Sequence, residues 1–470
     1  MIRSSRRFRV SPLLLLSLTA CAGADPPRPD AAGFIVKPYV QLGNVPKIAT
    51  KESLTILWQT QDTEGDWTVE ASGKRFTAKP QRVALVDSTP FRIYRADLTG
   101  LPAGKPVLYH VMKAGKSVFS ATVTTRKPAS APYKFVVFGD CADNTPGQKA
   151  IAYHTYLLKP DFVFITGDIV YNRGLMSEYY TKYFPIYNAE TASKTEGVPL
   201  ISSTLFFASP GNHDILDRNL DKRPDSLAYY FNWAQPLNGP LTVSGSPNTS
   251  TLQGDEAHNA AYIKAVGNTY PVMANFSYDY GNSHWTVLDA NPYMNWSDPK
   301  LVAWLEHDLA SAQGATWRFV GYHHPPFNSS DKHKDDQWMR VIQPILEKYH
   351  VDIVFNGHVH NYQRTYPLKF KPTGNRTESG HMEGDFTLDK KFDGTTVTKP
   401  NGTLYLITGG GGAHLYDPAQ MHQPETWKPF TAKFISDVHS LTCVDVTGKT
   451  LTVKQIDENG KEIDRFTVTK

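Results

Sequence analysis

Five short apolar runs each end in a cluster of side chains able to bind metal, and no other feature constrains this chain as tightly. The runs are Val136-Val137-Phe138, Phe162-Val163-Phe164-Ile165, Leu205-Phe206-Phe207-Ala208, Phe319-Val320-Gly321-Tyr322 and Ile353-Val354-Phe355. Each is apolar at consecutive positions, so both faces need cover, as in strands inside a layered α/β sheet. The clusters are Gly139-Asp140-Cys141-Ala142-Asp143, Gly167-Asp168-Ile169-Val170-Tyr171, Gly211-Asn212-His213-Asp214, Val320-Gly321-Tyr322-His323-His324 and Gly357-His358-Val359-His360. Ligands of open α/β sheets sit beyond the carboxyl ends of the strands, so five strand ends offer donors to one crevice.

The donor types narrow the chemistry. Carboxylate, amide and imidazole without thiolate suit iron, zinc or manganese better than a Cys-bound structural zinc. Two aspartates, one asparagine and three histidines are too many ligands for one tetrahedral ion. A pair of ions bridged by one carboxylate uses them all, and two metals about 4 Å apart are an arrangement that hydrolyses phosphate esters.

Around these strands the text reads as helices and loops. Residues 148–158 have helical spacing, Asp298-Pro299 is a capping residue followed by proline, and 335–349 predicts a third helix broken or kinked at Pro344. The polar stretches 217–259 and 371–399 read as insertions. Residues 450–457 and 462–468 around Asn459-Gly460 predict a closing hairpin. Upstream, runs such as Leu54-Thr55-Ile56-Leu57-Trp58 and Arg92-Ile93-Tyr94-Arg95-Ala96 predict a small all-β sandwich over 37–127, joined by the linker Lys127-Pro128-Ala129-Ser130-Ala131-Pro132 to a second domain over 133–470.

Composition excludes several classes. With 40% hydrophobic and 12% aromatic residues the chain is neither disordered nor fibrous. The 49 Lys and Arg against 45 Asp and Glu include four arginines in the first twenty residues, where no acid occurs. No basic run interleaved with aromatics follows, so no nucleic-acid partner is expected. Three cysteines cannot build a disulfide framework. No signal for an oligomeric state stands out.

Residues 1–20 read as an export signal, with arginines, a short apolar stretch and small residues before Cys21. Leu18-Thr19-Ala20-Cys21 resembles the bacterial lipobox. That likeness implies a lipid anchor on Cys21 and an exported bacterial protein at the periplasm, outer membrane or cell surface, with 21–36 as a tether. Ordinary cleavage leaving a soluble exported chain stays open.

The five clusters in this order resemble the calcineurin-like metallophosphoesterase superfamily, and Tyr171 in the second places the chain nearest the purple acid phosphatases. Pro38-Tyr39-Val40-Gln41-Leu42 and Ile56-Leu57-Trp58-Gln59-Thr60 are similar to that family's fibronectin type III-like N-terminal domain. The resemblance implies a layered metallophosphoesterase β-sandwich flanked by helices. It assigns Asp140, Asp168, Tyr171 and His360 to a ferric ion, with Asp168 bridging. Asn212, His323 and His358 fall to a divalent zinc, iron or manganese ion. His213 would meet the phosphate, and His333 would hydrogen-bond it and protonate the leaving oxygen. Lys332 stands where the eukaryotic pattern has another histidine, and Cys141 beside Asp140 is unusual. The implied substrates are small phosphate monoesters; a phosphodiesterase on the same site, or a binding lipoprotein with a vestigial site, remain alternatives. The run Gly409-Gly410-Gly411-Gly412 lacks the lysine and helix of a phosphate loop and is expected to turn beneath the site.

Overall fold

The computed structural model describes residues 25–377 and 379–470. The expected leader and Cys21 lie outside the described residues. Two four-stranded antiparallel sheets make up the N-terminal part: Phe34–Gln41, Lys51–Gln61, Phe91–Pro102 and Lys79–Val83 in one, Lys74–Thr77, Trp67–Ala71, Pro106–Lys113 and Lys116–Thr124 in the other. Alternation drives the pairing, since Trp67, Val69 and Ala71 are buried while Thr68 and Glu70 between them are not. Trp58 stacks on Tyr94 at 5.5 Å and meets Trp67 at 5.6 Å. The first strand begins at Phe34, inside the span expected to be tether. Phe34 and Val36 bury their side chains, and Asp30 Oδ1 caps the entry by accepting from the backbone of Ala32, Gly33 and Phe34.

Beyond the linker two larger sheets pack together. The first runs Leu205–Ala208, Phe162–Ile165, Tyr133–Phe138, Ser440–Thr447, Thr450–Asp457 and Glu462–Thr469; its first three strands are parallel. The second runs Phe276–Tyr280, Ser283–Val287, Trp317–Gly321, Ile353–Asn356, Leu404–Thr408, Tyr362–Thr365 and Thr431–Ile435. The tail hairpin is present and closes the edge of the first sheet.

Alternation along the apolar strands explains the layering. Phe135, Val137, Phe162 and Phe164 point into the seam between the sheets, where Phe135 and Phe162 meet Trp285 at 5.1 and 5.5 Å. Val136, Phe138, Val163 and Ile165 point the other way, onto Ile151 and Ala152 of the helix Pro146–Leu158. Likewise Val320 and Val354 on the second sheet meet Leu301, Leu305 and Leu309 of the helix Pro299–Ser311. Truncating one such core Phe to Ala costs about 3–5 kcal/mol. The second helix starts as the sequence suggests, with Asp298 accepting from Lys300 N ahead of Pro299, whereas the first starts at Pro146, two residues before the expected 148, where Thr145 accepts from Gln148 N.

The third helix differs from expectation. Residues 335–337 stay outside it; a tight turn Trp338–Ile342 leads into the helix Gln343–Lys348, and Pro344 sits in its first turn, where no donor is lost. The stretch 217–259 holds the short helix Tyr229–Asn232 and runs into the helix Glu256–Val266, and 371–399 holds the strand Gly384–Leu388, which pairs with Leu368–Pro372. Between the two parts of the chain Arg126 is fully buried. It donates to Glu52 at 2.6 Å and to the carbonyls of Pro46, Lys47 and Asp279. Removing one partner of such a buried pair costs about 3–5 kcal/mol; the pair itself lies within the sandwich, and the 3.2 Å bond to the Asp279 carbonyl ties it to the sheets beyond the linker.

Candidate metal centre

The five clusters meet at one edge of the seam. Asp140, Asp168 and Asn212 follow strands of the first sheet, and His323, His358 and His360 follow strands of the second. Two groups of donors result, Asp140, Asp168 and His360 in one and Asp168, His323 and His358 in the other. Asp168 belongs to both.

In the first group the Tyr171 hydroxyl lies 3.2 Å from Asp140 Oδ1, 3.2 Å from Asp168 Oδ2 and 3.0 Å from His360 Nε2. Asp140 is held by the His358 backbone N–H at 3.0 and 2.9 Å. In the second, His323 Nε2 stands 3.1 Å from Asn212 Oδ1 and 3.3 Å from Asp168 Oδ1. Both carboxylates and all three imidazoles are buried, whereas Asn212 and His213 are half-buried.

Each imidazole has one nitrogen spoken for. His323 Nδ1 donates to Thr166 O at 2.8 Å, His360 Nδ1 to His414 O at 2.6 Å, and His358 Nε2 to Asp336 Oδ2 at 3.0 Å. An acceptor on one ring nitrogen fixes the tautomer and leaves the other with its lone pair, the state a metal ligand needs. Carboxylate, amide, phenol and three oriented imidazoles therefore fit a pair of metal ions, and Asp168 is placed to bridge them.

The electrostatics show a pocket that attracts positive charge, which a proton on His323 supplies as the pocket stands and a metal ion would replace. Burial opposes the Asp168 charge, but His323, His213 and His358 outweigh it and hold the carboxyl well below the ordinary range. Burial alone would lower His323, yet Asp168 and Asp140 push it up to about 9, whereas burial takes His358 down to about 4. Burial first, then the charges of Asp140 and Asp168, drive the Tyr171 phenol far above its usual range. Phenolate there needs a strongly charged cation beside it.

The backbone is bent to make this possible. Asp140, Asp168, His333 and His358 all have positive φ, between 49° and 68°. Such residues cost of order 1–3 kcal/mol each and persist where surrounding bonds over-determine them. Gly167 turns with φ +88°, and a Cβ on it would come within 2.6 Å of His323 Nδ1. The glycine run packs beneath the site as expected, with Gly411 N donating to Gly139 O.

Sequence reasoning gave no role to three residues that the structure places here. Asp214 accepts from the backbone of Ile169 and Gly211, joining two ligand loops; burial and the Asp168 charge push its carboxyl up to about 8. Its place in Gly211-Asn212-His213-Asp214 was the available signal. Tyr416 stacks on His360 at 4.0 Å. Asp336 receives both His358 and, at 3.0 Å, His333 Nδ1. His213 Nδ1 donates to the Asn172 carbonyl at 2.7 Å, with Nε2 3.9 Å from Asp168 Oδ2. All nine site candidates are thus drawn together.

Residues 133–362, which contain all nine, match the family model described as calcineurin-like phosphoesterase. The chain is 25% identical over 375 residues to purple acid phosphatase 15 of Arabidopsis thaliana, covering 73% of this chain and 59% of that relative. It is 25% identical over 338 residues to probable inactive purple acid phosphatase 27 of the same plant, covering 65% of this chain and 46% of that one. The chain thus spans about half the length of the curated relatives it matches. Among solved structures, a purple acid phosphatase from yellow lupin (Lupinus luteus) seeds covers 93% of this chain and 75% of its own, with TM-score 0.59 and 16% identity. That likeness shows the fold.

Proposed function

We propose that the chain hydrolyses phosphate monoesters at a dinuclear centre, as an exported phosphatase of the purple acid type with a fibronectin type III-like first domain. The sharing of Asp168 between two complete donor groups carries the reading. When bound, the ions would supply activated water and positive charge opposite the phosphoryl oxygens. Tyr171, in contact with Asp140, Asp168 and His360, supports a ferric ion in that group, because only a strongly charged cation offsets the burial and negative charge against its phenolate. Zinc, iron or manganese in the divalent state suits the group with Asn212, His323 and His358.

The remaining residues act on substrate. His213, fixed through Nδ1 to Asn172, presents Nε2 beside Asp168 to a phosphoryl oxygen. His333, fixed through Nδ1 to Asp336, keeps Nε2 for the leaving oxygen and can hold the proton it needs. The test is hydrolysis of p-nitrophenyl phosphate against bis(p-nitrophenyl) phosphate, with metal content measured on the same sample. Faster turnover of the monoester with two metals per chain is expected. Preference for the diester moves the centre to phosphodiesterase chemistry, and an inactive, metal-loaded protein leaves a binding lipoprotein. Leu18-Thr19-Ala20-Cys21 adds a lipid anchor to this proposal, and Cys21→Ser should shift the protein out of the detergent phase.

A further inference from the structure

Three imidazoles of the centre are steered by a partner on their second nitrogen, and one of the three partners is unlike the rest. His323 and His360 donate to backbone carbonyls, of Thr166 and His414. His358 donates to a side chain, Asp336, and the same oxygen of that side chain accepts from His333. The two rings sharing it lie 4.0 Å apart.

We infer that Asp336 is a positioning residue that joins the metal side of the centre to its substrate side through one atom, Oδ2. A carboxylate only accepts, so both rings must donate to it. The proton of His358 therefore sits on Nε2, and Nδ1 is the nitrogen left for an ion. The proton of His333 that faces Asp336 sits on Nδ1, which leaves Nε2 for substrate. Asp336 is held for the task. Its backbone N–H returns to His333 O, Gln337 N donates to Gly380 O, and Trp338 Nε1 donates to Ala290 O at 2.8 Å. The 335–337 stretch stays outside the helix that follows, and that keeps the carboxylate turned to both histidines. The inference rests on the dinuclear reading above.

Its test starts from metal-free protein titrated with zinc in competition with a chelator. Wild type is expected to show two sites; Asp336→Ala should weaken one of them by about 10–100-fold and leave the other unchanged. His333→Ala should leave both affinities as in wild type, because that ring shares the carboxylate without binding the ion. Asp336→Asn keeps an acceptor oxygen of the same size, should recover part of the loss, and carries the measurement if the alanine variant does not fold. In histidine-labelled, metal-free protein, ¹⁵N NMR should report the Nε2–H tautomer at His358, a signature that a merely structural Asp336 would not set. Unchanged zinc affinities in Asp336→Ala, an equal loss at both sites, or an Nδ1–H tautomer in wild type overturns the inference while the functional reading stands. A wild type that takes up no zinc overturns the functional reading and the inference with it.

Discussion

The two ends of the candidate metal centre share Asp168 and otherwise differ in kind. Asp140, Tyr171 and His360 crowd one end; all three are buried, and the His360 ring is covered by the parallel ring of Tyr416. Asn212, His323 and His358 make the other, which opens toward His213 and His333 through a half-buried amide and a carboxylate that is itself shared. The first end offers oxygen, charge and exclusion of water, which suits a hard, highly charged ion that stays. The second offers nitrogen and access, which suits an ion that exchanges and meets substrate. Placing an ordinary-looking strand-end aspartate between them lets one side chain serve two different environments.

That contrast can be attacked by mutation. Asp168→Ala should have the largest effect, removing both ions and all measurable hydrolysis; retention of two metals in elemental analysis would break the shared-carboxylate assignment. His360→Ala and His358→Ala come next. Each should cost one ion, and the residual metals should differ: iron lost in the first, the divalent ion in the second. If both variants lose the same ion, the two ends are not distinct. His213→Ala and His333→Ala should keep two metals while turnover falls about 10²–10⁴-fold, read as kcat on p-nitrophenyl phosphate. Tyr171→Phe should be the mildest, retaining both ions and some hydrolysis but losing the visible absorption that phenolate gives to ferric iron. An uncoloured wild type carrying two divalent ions would remove the asymmetry from the closed end.

Legibility in the sequence followed burial. Strands such as Phe162–Ile165 announce themselves because every residue is covered, by the opposing sheet on one face and by a helix on the other. Their ligands were legible because each follows such a strand within a few residues. Asp336 was not, since it acts on His358, 22 residues away, and nothing local in Asp335-Asp336-Gln337 distinguishes a loop acid from the first turn of a helix. The same ambiguity makes 335 look like the start of the third helix, although the tight turn begins at Trp338 and the helix at Gln343. Phe34 reads as tether in the sequence because only Phe34 and Val36 alternate before Lys37 and Pro38 interrupt the pattern, although the strand runs on to Gln41. The positive φ of Asp140, Asp168 and His358 is likewise invisible in composition, as it is imposed by bonds from Gly167, His323 and the Asp140 carboxylate across the fold.

The seam has a thermodynamic consequence. Its two faces are joined inside by apolar contacts such as Phe135 with Trp285, but at its edge the donors come from both sheets, so an ion held there is a reversible cross-link between them. Prising the sheets apart then requires release of the ions, and unfolding becomes a mass-action equilibrium in free metal. At a free concentration a hundred times its Kd, an ion that binds only the folded chain adds about 2.7 kcal/mol. The melting temperature of this protein should therefore climb with the logarithm of added metal and fall on chelation, and the scaffold and its chemistry would fail together.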